Sequence, residues 1–173
     1  MYYCKLLTIP IITNLYKNKR LKNKMVDQAL IDKLKGWQEN PPAPEDVDEK
    51  FGEEFLTTLF TLFKQISEED EDMKEEVEDS DICMQFIMQN EGQEFKFWIS
   101  ARGSIDFGIG DGPDVSVTMS TSAENMFQML SGQADATAMY MSGDLTIEGN
   151  LQDAMAFGEI SSIAAEIIQD MME

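Results

Sequence analysis

The chain has 173 residues, enough for one ordinary domain with a sizeable core, and 43% of them are hydrophobic, which excludes a disordered chain. A formal net charge of −20 and a pI near 4.1 set its surface against nucleic-acid phosphates and anionic lipid headgroups. The absence of histidine removes serine–histidine and cysteine–histidine catalysis and histidine-ligated zinc, while two separated cysteines, Cys4 and Cys83, give no disulfide framework and suit a reducing cytoplasm.

Residues 1–24 differ from the rest. They hold six basic residues (Lys5, Lys17, Lys19, Arg20, Lys22, Lys24) and no acid, so residues 25–173 carry seven Lys or Arg against all 33 Asp and Glu. The apolar part, 6–12, contains Pro10 and precedes the basic cluster. A secretory signal has the reverse order, and a membrane span needs about 18 or more apolar residues. These residues are expected to be a disordered extension, or to precede a true start at Met25; the functional alternative is a peripheral anchor or targeting arm. Residues 25–46 are expected to form a short helix and a proline-rich linker, and 47–173 the main domain. In the first helix Val26, Leu30, Ile31 and Leu34 share a face that Trp37 extends, and Pro41, Pro42 and Pro44 stop it. Asp46 or Asp48 caps a second helix reaching about Ile66, with Phe51, Phe55, Leu59, Leu62, Phe63 and Ile66 as its apolar stripe. The acidic run 67–81 lacks the alternation and central glycine of a calcium loop, and is read as a solvated turn or helix start.

Three strands follow. Ile82, Met84, Phe86 and Met88 alternate with Cys83, Gln85 and Ile87 up to a hairpin signal at Asn90-Glu91-Gly92. Phe95, Phe97, Ile99 and Ala101 alternate with Lys96, Trp98, Ser100 and Arg102, and Gly103 turns the chain into Ile105, Phe107 and Ile109. An antiparallel meander with one dry face is expected. Gly110-Asp111-Gly112-Pro113 has neither the spacing nor the lysine of a phosphate loop.

Residues 114–157 organise the chain. Val115, Val117 and Met119 alternate with Ser116, Thr118 and Ser120 as a strand. Ser122 caps a helix over 123–130 carrying Met126, Phe127 and Leu130, and Gly132 ends it. A small-residue segment, 134–142, bears Met139, Tyr140 and Met141. After Gly143, Leu145 and Ile147 alternate with Thr146 and Glu148 as another strand, and Asn150 caps a final helix. In it Ala154, Met155 and Phe157 precede Gly158, expected to kink or divide the helix, and Ile160, Ile163, Ile167 and Met171 continue the apolar face.

This order resembles the sterol carrier protein 2 domain family. The resemblance rests on Met119-Ser120, the 127–132 stretch FQMLSG, Met139-Tyr140-Met141, the 143–150 stretch GDLTIEGN, and the apolar run 151–157; a looser fit extends over 47–168. It implies an α+β fold with a five-stranded, largely antiparallel (mixed) sheet, one face covered by helices and an apolar cavity between them. It further implies a non-catalytic carrier of a sterol, fatty acyl chain or similar apolar ligand, with the C-terminal helix as lid. By family position, Phe107, Met119, Met126, Phe127, Leu130, Met139, Met141, Met155 and Phe157 would line the pocket. No cofactor and no nucleic-acid partner are expected; transient membrane contact and a homodimer remain open. The alternative is an interaction or dimerisation module of the same fold with a filled cavity. Acid pairs such as Asp106 with Asp111, or Asp144 with Glu148, read as solvated charge rather than acid–base groups.

Overall fold

Local chemistry starts most of the helices. In the computed structural model, which describes residues 26–43, 49–90, 93–130 and 133–172, Asp27 accepts from Ala29 N–H (2.9 Å) to begin α1 (Gln28–Glu39). α2 spans Glu49–Glu69, and the caps expected for it, Asp46 and Asp48, lie outside the described residues, as do residues 1–24, Gly92 and Gly132. Asp70 accepts from Asp72 and Met73 N–H, both at 3.1 Å, to begin α3 (Glu71–Glu78). The acidic run is thus the end of one helix and the whole of another, and Met73 and Val77 give the second a buried face.

The strands are β1 (Asp81–Asn90), β2 (Gln93–Arg102), β3 (Ile105–Ile109), β4 (Val117–Ser122) and β5 (Thr146–Gly149). Between the last two stand α4 (Ala123–Leu130) and α5 (Ala136–Ser142), and α6 (Leu151–Met172) closes the chain. The expected caps of α4 and α6 are present: Ser122 accepts from Asn125 N–H (3.2 Å) and Asn150 from Gln152 N–H (3.0 Å). α6 runs through Gly158 as one helix of 22 residues, so the expected division does not occur. One glycine costs a helix about 1 kcal/mol, and buried Ala154, Phe157, Ile160, Ala164 and Ile168 hold both halves down.

The sheet is five-stranded and mixed, in the order β3-β2-β1-β4-β5, with β4 parallel to β1 and every other pair antiparallel. A parallel neighbour requires a crossover. Here the 110–116 loop carries the chain from the β3 edge across the back of β2 and β1. Alternation predicts one dry face, but on the opposite face Gln85 is also buried, beside Cys83 and beneath this loop. The Gln85 amide ties it down: Nε2 donates to Phe97 O (2.9 Å) and Gly110 O (3.0 Å), and Oε1 accepts from Gly112 N–H (2.7 Å). Gly112 is needed because a Cβ there would sit 2.8 Å from Trp98 Cβ.

The helices cover the front face, where the core lies. Phe60 of α2 meets Phe86, Phe97 and Phe107 with ring centroids 5.9–6.4 Å apart, and Phe86 stacks on Phe97 at 4.7 Å. α1 belongs to the same core: Ile31 and Leu34 are buried, Trp37 packs on Phe51 and Phe55, and Asp27 N–H donates to Gln65 Oε1 (2.9 Å).

Candidate functional site

Strand register lines apolar side chains up in rows across the front face. The middle row runs Ile109, Phe97, Phe86, Met119, Ile147, one residue per strand. Phe157 of α6 lies over it, 5.9 Å from the Phe86 ring. The next row runs Phe107, Ile99, Met84, Val117 and ends at Gly149. Gly149 has φ +106°, and a Cβ there would lie 2.5 Å from Ser116 O, so only glycine lets β5 close on the start of β4.

The cover over these rows is uneven. At the centre Phe86, Phe97, Met84 and Ile99 are at most 1% exposed. At the β5 end Ile147 is half-buried and β5 is otherwise open. Between them α4 buries Met126 and Phe127, with Phe127 tilted against Phe55 at 5.0 Å and edge-on to Phe51 at 5.6 Å.

The nine residues expected to line a pocket divide into three groups. Met119, Met126, Phe127, Met139 and Phe157 are buried on α4, α5, β4 and α6, with Leu130 half-buried beside them. Phe107 is half-buried too, but on β3, three strand spacings from β4, roughly 14 Å across the sheet; it packs on Phe60 instead. Met141 and Met155, which the resemblance places in the pocket lining, face outward, 83% and 65% exposed. Helical period explains both: Met141 is two positions, about 200° around the helix, from buried Met139, and Met155 is two from buried Phe157. The alternation overlooked the burial of Gln85. It also did not mark α5 as a helix, although Asp135, accepting from Ala138 N–H (2.7 Å), and Gly143 at φ +86° bracket it.

Titratable groups build no reaction centre among the described residues. Asp106 faces Lys64 (4.0 Å), Asp111 pairs with Lys96 (3.0 Å), Asp144 accepts from Ser142 Oγ (2.6 Å), and Glu148 is exposed on β5. The Lys96 ammonium is held above its ordinary range by its bond to Asp111. Burial pushes the Cys83 thiol up, the reverse of what a nucleophile needs. No group of three or more metal-ligating side chains converges among the described residues, and no helix there is long and apolar enough to cross a membrane. A cleft of about 160 Å³ lined by Ser67, Glu68, Lys74, Val77, Gly103 and Ser104 shares no residue with the nine.

Solved structures similar to this one include sterol carrier protein 2 from Yarrowia lipolytica in its apo form (20% identity, 57% of this chain and 90% of that one, TM-score 0.49). The sterol carrier protein domain 2 of Helicoverpa armigera is another (24% identity, 72% and 94%, TM-score 0.49). A third is a conserved hypothetical protein from Thermus thermophilus (8% identity, 65% and 85%, TM-score 0.50), a likeness of fold alone. No curated protein sequence matches the chain. Residues 63–162, from the second half of α2 into α6, match the SCP-2 sterol transfer family over more than half the chain, and the chain belongs to that family.

Proposed function

We propose that the protein is a non-catalytic lipid carrier. It holds a sterol, fatty acyl chain or similar apolar ligand between the front of the sheet and α4, α5 and α6, in a cavity that opens as the side chains there part. The observation that carries this reading is the middle row: five apolar side chains cross the whole sheet, sealed at Phe97 and Phe86 and less covered at its ends, Ile109 on β3 and Ile147 on β5. Each methylene moved from water into such a space contributes about 0.8 kcal/mol. Four methionines border it (Met119, Met126, Met139 and the half-buried Met129), and unbranched thioethers repack around ligands of varied shape. Met119, Met126, Phe127, Leu130, Met139 and Phe157 form the lining; Phe107 closes the far end, and Met141 and Met155 stand at the mouth. Ligand is exchanged by transient contact with membranes, and the protein works in the cytoplasm.

Native mass spectrometry of the purified full chain, followed by solvent extraction, tests the proposal. A lipid that copurifies and is lost on unfolding, or stoichiometric uptake of added fatty acid or sterol, is the expected result. A clean unliganded mass with no uptake of either would replace the carrier with a filled-core interaction module, and the same spectrum would show whether that module pairs with itself.

A further inference from the structure

Large apolar side chains that reach solvent are not scattered over the described surface. They are Ile109, Val115, Tyr140, Met141, Leu151 and Met155, and all but Ile109 surround β5. Tyr140 and Met141 end α5 just before the strand. Leu151 and Met155, four apart, share one face of α6 just after it. Val115 precedes Ser116, whose carbonyl accepts from Asn150 N–H (2.9 Å) at the strand's far end. Among the described residues β5 is also a sheet edge, paired with β4 alone.

The charge around this edge has one sign. Residues 103–173 contain no lysine or arginine, and Asp144, Glu148 and Asp153 stand beside or on β5 and the first turn of α6. Of the cations elsewhere, Lys33, Lys64, Lys74, Lys96 and Arg102 are each engaged by an acid on another part of the surface. An apolar, methionine-bearing edge among carboxylates fits a segment that is cationic and carries apolar residues of its own.

The chain contains such a segment. Residues 1–24 hold six basic residues, no acid, and Leu6, Leu7, Ile9, Ile11, Ile12 and Leu15. They join the domain next to Val26, and 24 residues reach up to about 80 Å, against a domain radius of gyration of roughly 15 Å. Every surface of the domain is within that tether, which holds the segment at an effective concentration in the millimolar range. We propose that residues 1–24 dock in cis on the β5 edge, their apolar side chains against Met141, Leu151 and Met155 and their lysines against Asp144, Glu148 and Asp153. This docking is independent of whether the protein carries a lipid.

The native cysteines make the test selective. Cys4 lies in the segment, while Cys83 is buried with its thiol pushed up, so a nitroxide reagent at neutral pH labels Cys4. In full-length protein with isotope-labelled methionine methyls, the nitroxide is expected to erase the Met141 and Met155 signals and spare Met73, buried on the inner face of α3. Both signals should return at 1 M salt, where screening acts beyond about 3 Å. They should also return when Lys17→Glu, Lys19→Glu, Arg20→Glu, Lys22→Glu and Lys24→Glu are combined. Signals at Met141 and Met155 that match Met73 would overturn the proposal, as would erasure that survives the charge reversal. Erasure in isotope-labelled, spin-free chains when spin-labelled chains are mixed in would assign the edge to a second copy. Capture of the segment by phosphatidylserine vesicles, with no effect on either methyl in their absence, would assign it to a membrane. Either result rejects docking in cis.

Discussion

The centre of the sheet and its β5 edge are built from the same alternating pattern and end up in different states. At β1 and β2 the front face meets α2, which supplies Phe60 as well as the expected stripe, and Phe60 and Phe86 are each 1% exposed. At β5 the same face is less covered: Ile147 is half-buried and the other three residues of the strand are exposed. Packing density follows the size of the covering side chains rather than the strand pattern.

Truncating a ring at the centre tests that contrast most strongly. Phe60→Ala removes contacts to Phe63, Phe86, Phe97 and Phe107, with ring centroids at 5.8–6.4 Å. It should cost about 3–5 kcal/mol in urea unfolding. A loss near the 0.5 kcal/mol of a surface change would mean the centre is as loosely held as the edge. Gly149→Ala attacks the edge itself. The alanine would need φ +106° and would place its Cβ 2.5 Å from Ser116 O. A loss of about 2–3 kcal/mol is expected, with faster amide exchange on β5 while β1 and β2 stay protected. Equal loosening of all strands would show that the edge and the centre open as one unit.

The back face sharpens the comparison. Gln85→Leu leaves the Gly112 N–H and Gly110 carbonyl without their side-chain partner, at a cost of about 2 kcal/mol. Cys83, held as the unreactive thiol by burial under the same loop, should then alkylate faster at neutral pH. Unchanged alkylation would mean that the loop stays down without the amide.

The period of the strands was legible because Phe95, Phe97, Ile99 and Ala101 repeat every second residue, and that period decides which side chains share a face. It does not say what lies over the face. Gln85 fell opposite the dry face because alternation does not see the loop that crosses over it from β3 to β4, a long-range fact with no local signal. The seven-residue α5 is too short for helical periodicity, yet Asp135 and Gly143 at its ends were readable as cap and stop. Met141 and Met155 were misplaced for a different reason: family position names a residue number, and a residue two places from a buried one lies on the far side of its helix. Apolar composition does not correct this, since folded surfaces carry apolar atoms freely.

Those two methionines give the smallest expected change in stability and the clearest division between edge and centre. Met155→Ser removes a side chain that is 65% exposed, so unfolding in urea should shift by less than about 0.5 kcal/mol. If ligand passes or rests at the β5 edge, the variant loses apolar contact with it, about 1 kcal/mol, or roughly fivefold in the affinity for a fluorescent fatty acid. Phe157→Leu, over Phe86 at the centre, keeps the site apolar and should weaken binding only if the ligand lies along the middle row. A ligand bound at the mouth alone responds to the first change and not the second; one enclosed within the fold responds to the second, and to the first mainly in its rate of exchange.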